Sequence, residues 1–312
     1  MNYTENALNI LTVRTFEKKG PAWIYNNLKG NESIQSLCRL LETHEYEFTK
    51  KRDKISETIM KIGDAIDGFV ALGDSDFPPF RGNVKPADRP FALFYKGNIN
   101  LLGKDNLNVA VIGVLNPDEK VELSEKIVTS EILKHGATIV SGLALGCDSI
   151  AHKTALENGG KTIAILPSAL NKIIPKENRD LAEEIVAKGG LLVSEYYEEP
   201  KSKNDMLSRF VVRDRLQALF SDAILMAASY APNNLGNDCG SRHAMGKAKE
   251  YGIKRSVIYN AEKHANNPMF DLNRQVIKED GIKANVIDSS NMTDTIKRLL
   301  QKTTQSSNLS LF

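Results

Sequence analysis

Two glycines four residues apart carry the most pointed chemistry in this chain. Gly142 and Gly146 lie in the run 138–151, TIVSGLALGCDSIA. A β-branched segment (Thr138, Ile139, Val140) stops at Ser141 and Gly142, Leu143 continues the turn, and an Ala-rich helical pattern begins after Gly146. Strand, glycine turn and helix start together point backbone N–H groups and the positive end of a helix dipole at an anion. Ser141 adds a hydroxyl, Gly142 permits close backbone approach and Gly146 opens the helix. Asp148, in the first helical turn, suits the dipole but opposes a phosphate beside it. The motif predicts a bound phosphate and leaves its owner open.

Three further segments add candidates. Gly113 follows an apolar run and permits a tight turn, while Asn116 either caps the next helix or bonds a ligand. The segment 166–178, LPSALNKIIPKEN, offers Lys172 as a cation and Asn178 as either a ligand contact or a cap. A long polar loop after Ser229 and Tyr230 runs into Gly240, Ser241, Arg242 and His243. There Gly240 and Ser241 present N–H groups to a second phosphate, and Arg242 or His243 adds charge. Loops of this length are uncommon in compact domains unless functional.

On another helical stretch, Arg213 and Arg215 flank Asp214. Residues two apart do not share a helix face, so one arginine is expected at the site while the other pairs with a carboxylate. Phe210 reads either as a base-stacking side chain or as core. His135 and His152, near helix ends, read as surface or capping residues. The sequence contains no GxxxxGK[ST], no GxGxxG after the first strand, no GxSxG and no HExxH. Asp148, Glu195 and Asp222 form no recognisable acid–base pair by spacing. These observations favour a binding protein over an enzyme, with no metal and no cofactor expected.

The elements that must position these residues alternate regularly from Leu107. Apolar strand-like runs cover 108–114, 137–141, 161–166, 191–194, 222–228 and 254–259, separated by helix-like spans near 119–135, 146–159, 177–188, 208–220 and 240–252. This order predicts an α/β fold, extended and Rossmann-like, with a mostly parallel sheet, helices on both faces and the ligand site at the carboxyl ends of the strands. Residues 5–65 read as helices, broken at Lys19-Gly20-Pro21 and Lys29-Gly30. The expected organisation is a small helical N-terminal domain (1–72), a Pro- and Gly-rich connector (73–106) ending in a strand-like 91–95, the Rossmann-like domain (107–286), and a C-terminal helix near 293–300 with a frayed tail (287–312).

Composition sets outer bounds. A net charge of +2 gives no global basic field, so any nucleic-acid surface must be local. Cys38, Cys147 and Cys239 are far apart and lack metal-ligand spacing, which fits a reducing compartment and predicts neither disulfides nor zinc. The opening MNYTENALNI lacks a basic segment followed by an apolar core, so no signal peptide is expected. No apolar run approaches the roughly 18 residues that span a bilayer. A cytoplasmic protein without membrane contact is expected.

The motif order resembles the DNA-processing protein A (DprA, or Smf) family. The shared run begins at DSDFPP…DRPFALFYKGNINLL…NVAVIG and continues through SGLALGCDSIAHKTALENGGKTIAIL. It proceeds through IIPKENRDLAEEI, GLLVSEY, FVVRDRLQALFSDAIL, GSRHAMGKAKEYG and NRQVIKEDGI, covering about residues 73–286. The resemblance implies an extended Rossmann fold that binds single-stranded DNA as a homodimer, protects incoming DNA in natural transformation and helps load a RecA-type recombinase. It implies no catalytic reaction and no obligatory cofactor. The phosphate contacts expected for this chain are the 141–146 loop, Arg213 and Arg242.

Three positions depart from that family's pattern. Gly113-Val114-Leu115 stands where Gly-Ser-Arg is usual, Arg213-Asp214-Arg215 where Arg-Asn-Arg is usual, and 239–245 reads CGSRHAM in place of SGSLITA. An arginine is thus absent from one wall and Arg242 is gained on another. Residues 287–312 show no winged-helix pattern of the kind some members carry. Two alternatives stay open: a sensor or binder of a nucleotide-derived small molecule, and a nucleotide N-glycosidase. The second is disfavoured because 236–249 lacks the double glycine and Thr-x-x-Glu of that chemistry.

Overall fold

The computed structural model describes residues 1–301 apart from 234, 236, 238 and 239. The tail expected beyond 301, Cys239 and part of the long polar loop lie outside the described residues. The helical spacing of the N-terminal stretch becomes α1 (Glu5–Arg14), α2 (Pro21–Asn27), α3 (Ile34–Leu41) and α4 (Glu45–Met60). Thr4 caps α1 by accepting the Ala7 N–H at 2.9 Å, and Pro21 sits in the first turn of α2, where its missing N–H costs nothing.

A nine-stranded sheet forms the body of the molecule. Its strands are β1 (Gly68–Ala71), β2 (Ala92–Gly97), β3 (Asn108–Ile112), β4 (Thr138–Ser141), β5 (Thr162–Leu166), β6 (Leu191–Ser194), β7 (Ala223–Met226), β8 (Lys254–Ile258) and β9 (Asn285–Ile287). They lie in the order β1-β2-β6-β5-β4-β3-β7-β8-β9. From β6 to β9 neighbours are parallel, while β2 runs antiparallel to both β6 and β1. The connecting helices are α5 (Glu119–Leu133), α6 (Cys147–Glu157), α7 (Arg179–Ala187), α8 (Lys203–Leu219) and α9 (Ser241–Tyr251), followed by α10 (Ala261–His264), α11 (Asp271–Asp280) and α12 (Met292–Leu300).

Alternating strand residues feed two faces. Ala110, Ile112, Val140, Ile163 and Ile224 pack against α8, α9 and α11 through Leu216, Leu219, Ala244, Met245 and Val276. Val109, Val111, Ile139 and Leu225 pack against α5, α6 and α12 through Val128, Ile132, Ala151 and Ile296. The strands are buried on both faces, which is why they read as continuous apolar runs. At the β1 end, α1, α3 and α4 share one cluster with Phe69 and Phe94, so the N-terminal helices rest on the sheet itself.

Two strands and one helix start differ from the sequence reading. Gly68–Ala71, inside the expected helical N-terminal domain (1–72), forms β1, and Asn285–Ile287 forms β9. Both are too short to carry a period. Helix α8 begins at Lys203, five residues before the expected 208, because Ser202 Oγ accepts the Asp205 N–H at 3.1 Å. Among the described residues no helix is long and apolar enough to cross a membrane.

Candidate nucleic-acid-binding site

The chain leaves β3 for β4 on one side, and β7 pairs with β3 on the other. The order of strands reverses there, and the carboxyl ends of β3 and β7 diverge into a crevice, the usual ligand position in open α/β sheets. A cavity of about 420 Å³ occupies it. Ile112 and Gly113 from the end of β3 form part of its lining, Ala144 and Asp148 lie on the β4 side, and Gly240 to His243 line it from the start of α9. The long wall is α8, which contributes Leu207, Phe210, Val211, Asp214 and Gln217 at helical spacing, together with Arg213. Leu207 belongs to the part of α8 gained through the Ser202 cap.

The 141–146 loop is held from within. Ser141 donates its hydroxyl to Val111 O at 2.7 Å, away from the cavity. Leu143 is fully buried with φ of 59°, and Asn178 Nδ2 donates to Leu143 O (2.8 Å), Ala144 O (3.1 Å) and Ser149 Oγ (2.9 Å). Asn178 is therefore neither a ligand contact nor a side-chain cap of α7; it clamps the loop. Asp148 accepts the Ala144 N–H at 3.2 Å. With its amide turned to satisfy both neighbours, Gln217 accepts from Gly142 N–H (3.0 Å) and Arg213 Nη1 (3.2 Å). The loop amides of Gly142 and Ala144 thus already have internal acceptors.

Glycines allow the close approach where the walls meet. A β-carbon on Gly142 would fall 1.5 Å from Arg213 Nη1, and one on Gly146 (φ 72°) would fall 2.4 Å from Val114 O. At Gly113 it would strike Cys147 Sγ at 2.4 Å. Behind Gly113, Glu125 and Cys147 are buried together, and burial pushes both well above their usual range, keeping both neutral.

The two arginines of α8 divide. Arg213 lines the cavity, donates Nη1 to Ile165 O at 3.0 Å and stands 3.1 Å from Asp214 Oδ1. Its guanidinium lies 6.0 Å from the Phe210 ring, and Phe210 is half-buried on the same wall. Arg215 turns away and makes a bidentate pair with Glu195 at 2.6 and 2.7 Å, with a third bond to Asp88 O. The structure therefore takes Arg215 out of the site. Burial, reinforced by Asp148 and opposed by Arg213, pushes the Asp214 carboxyl up to about 7. Burial also raises Asp148, against the pull of Arg213, Ser141 and the loop amides.

The remaining candidates scatter. Ser241 donates to Gly113 O at 3.1 Å, tying the α9 start to the end of β3. Arg242 and His243 line the cavity and touch each other at 3.3 Å. Asn116 is exposed outside the cavity lining, and α5 is capped by Asp118 instead, whose Oδ1 accepts the Val121 N–H at 2.8 Å. Lys172 is exposed beside Glu199 at 3.4 Å. His152 is fully buried against Thr162 Oγ1 at 2.6 Å, and burial lowers it to about 3, so it is a neutral core residue. Leu115, at the position where a cation was missing, lines the cavity as an exposed apolar side chain. Sequence reasoning missed Gln217, Leu207 and Val211, although their spacing with Phe210 and Asp214 marks one helix face. Among the described residues no cluster of three or more His, Cys, Asp or Glu is arranged for a metal.

Comparison with known proteins places this geometry. Residues 68–298 match the family model of DNA recombination-mediator protein A. The Smf protein of Borreliella burgdorferi is 29% identical over 204 residues, 65% of this chain and 60% of that protein. The DNA processing protein DprA of Streptococcus pneumoniae is 36% identical over 141 residues, 45% of this chain and 47% of that one. The matches thus span about half the length of these curated relatives. The crystal structure of Streptococcus pneumoniae DprA shares the fold at a TM-score of 0.72 and 24% identity, covering 97% of this chain and 100% of that one. A Helicobacter pylori DNA processing protein A, described for its single-stranded DNA binding mode, aligns at a TM-score of 0.54 and 29% identity over 72% of this chain and 97% of that one. With the sheet from β1 to β9 inside the matched range, this chain belongs to the DNA recombination-mediator protein A family.

Proposed function

We propose that this chain is a non-enzymatic recombination mediator that holds single-stranded DNA at the crevice between β3 and β7, acts as a homodimer and hands the strand to a RecA-type recombinase. The observation that carries the ligand assignment is the family membership together with the Helicobacter pylori relative, 29% identical over 72% of this chain and described as binding single-stranded DNA. The cavity chemistry supports it. Phe210 lies where a base can stack, a contact worth about 1–3 kcal/mol, and Arg213, Arg242 and the start of α9 supply positive charge at the same opening.

Fluorescence anisotropy with labelled oligonucleotides at low and physiological salt tests the proposal. Micromolar or tighter binding that weakens with salt is expected, and Arg242→Ala weakens it for every sequence alike. Absence of binding at micromolar protein, or binding without a salt slope, overturns it. A second reading rests on the cavity volume of about 420 Å³, which lies in the range of about 300–1,000 Å³ that holds small ligands. A thermal shift with a mononucleotide and no oligonucleotide binding would select that reading.

A further inference from the structure

Asp214 faces the same cavity as Arg213 and the start of α9. It lies on the cavity face of α8 and is 4% exposed. Its Oδ1 is 3.1 Å from Arg213 Nε, yet that nitrogen makes no aligned hydrogen bond, so the attraction is electrostatic and open to displacement. The other oxygen packs on Gly240, where a β-carbon would come within 2.3 Å of it. The carboxyl therefore abuts the first turn of α9, a helix without a side-chain cap. One acidic group faces both the Arg213 guanidinium and the positive end of a helix dipole.

We propose that Asp214 is a built-in competitor for the anionic part of the ligand, so that this pocket accepts a phosphate group well only when that carboxyl is protonated. The inference rests on the reading of the cavity as the nucleic-acid site. The charged groups facing Asp214 are Arg213 on its own helix, Asp148 at the start of α6, and Arg242 and His243 on α9. Asp148 repels it and is itself held by the loop amides, so it cannot relieve the crowding. Burial and this repulsion bring the Asp214 titration into the neutral range, to about 7. Below that pH the carboxyl is neutral and the anion has the cation and the helix end to itself; above it, two like charges share them. Linkage makes the effect reciprocal: a bound phosphate raises the proton affinity of Asp214 further.

The test measures oligonucleotide affinity by anisotropy at pH 6 and pH 8, at fixed ionic strength, for the full chain, Asp214→Asn and His243→Gln. The wild type should bind roughly tenfold tighter at pH 6, as one unit of pKa linkage implies. At pH 8, D214N should bind roughly tenfold tighter than wild type, and the two should converge at pH 6. Because His243 lines the same cavity and histidines as a class titrate near neutral pH, H243Q must keep most of the pH dependence. A folded D214N that binds no tighter than wild type at pH 8 overturns the proposal. Should D214N fail to fold, loss of the pH dependence in H243Q overturns it and retention supports it. A wild type that binds no oligonucleotide at either pH sinks the nucleic-acid reading instead. Inorganic phosphate is then the probe, by calorimetry, and the same order of affinities decides the role of Asp214.

Discussion

Arg213 and Arg215 sit two residues apart on α8 and do different work. Their spacing alone requires different faces, and Glu195 fixes which of them leaves the site. Sequence reasoning could see the division because it is local. It could not see the role of Asn178, whose partners lie 29 to 35 residues away. Asn178→Ala leaves the carbonyls of Leu143 and Ala144 without their donor, at a cost of about 1–3 kcal/mol. Thermal or urea unfolding will show this loss, accompanied by weaker oligonucleotide binding as the wall loosens.

Gly142→Ala forces Arg213 out of place, because the new carbon would lie 1.5 Å from Nη1. Binding should fall at least roughly tenfold, as expected for one lost charge-assisted contact; unchanged affinity would show that Arg213 plays no part. Asp214 also leaves a signature in stability. Its folded-state titration at about 7 lies above the usual 3.8, so the folded protein holds a proton that the unfolded chain has lost. Stability therefore falls as pH rises from about 4 to about 7, at up to about 1.4 kcal/mol per unit. Melting curves at pH 8 should place D214N above the wild type, with the gap narrowing towards about pH 4, where the unfolded chain also holds the proton.

At the scale of elements, the parallel core was legible and the additions to its edges were not. Runs such as 161–166 are apolar throughout and flanked by turn signals, so β5 falls within one residue of its expected place. β1 and β9 have four and three residues, and their strand character comes from neighbours that pair with them. Helix α8 likewise gained a turn from a serine cap, and with it Leu207 on the cavity wall. The same helix is anchored near β6 by the buried Arg215–Glu195 pair. Removing one partner strands the other charge, so Arg215→Ala should cost about 3–5 kcal/mol in denaturant melts. Any loss of DNA affinity in that variant should vanish once binding is scaled to the folded fraction.

For the whole molecule, a net charge of +2 over 312 residues leaves no field large enough to capture DNA non-specifically. On the proposed reading, affinity comes from the crevice at the reversal of strand order, where apolar side chains of α8 line a cavity with Arg213, Arg242 and two acids of raised proton affinity. That balance favours stacking over a dense phosphate clamp, so the salt slope should be shallow, corresponding to roughly one to three released counterions. The N-terminal helices precede the matched range 68–298 yet share a core with β1 and β2. Their contribution to the site is therefore support for the sheet that carries it.

The most direct measurement is the affinity of a labelled single strand for Phe210→Ala beside the wild type, at low salt and neutral pH. If the crevice is the binding site, losing the aromatic wall should weaken binding by about 1–3 kcal/mol, roughly five- to 150-fold, with the fold intact. Equal affinity of the two folded proteins would contradict that placement.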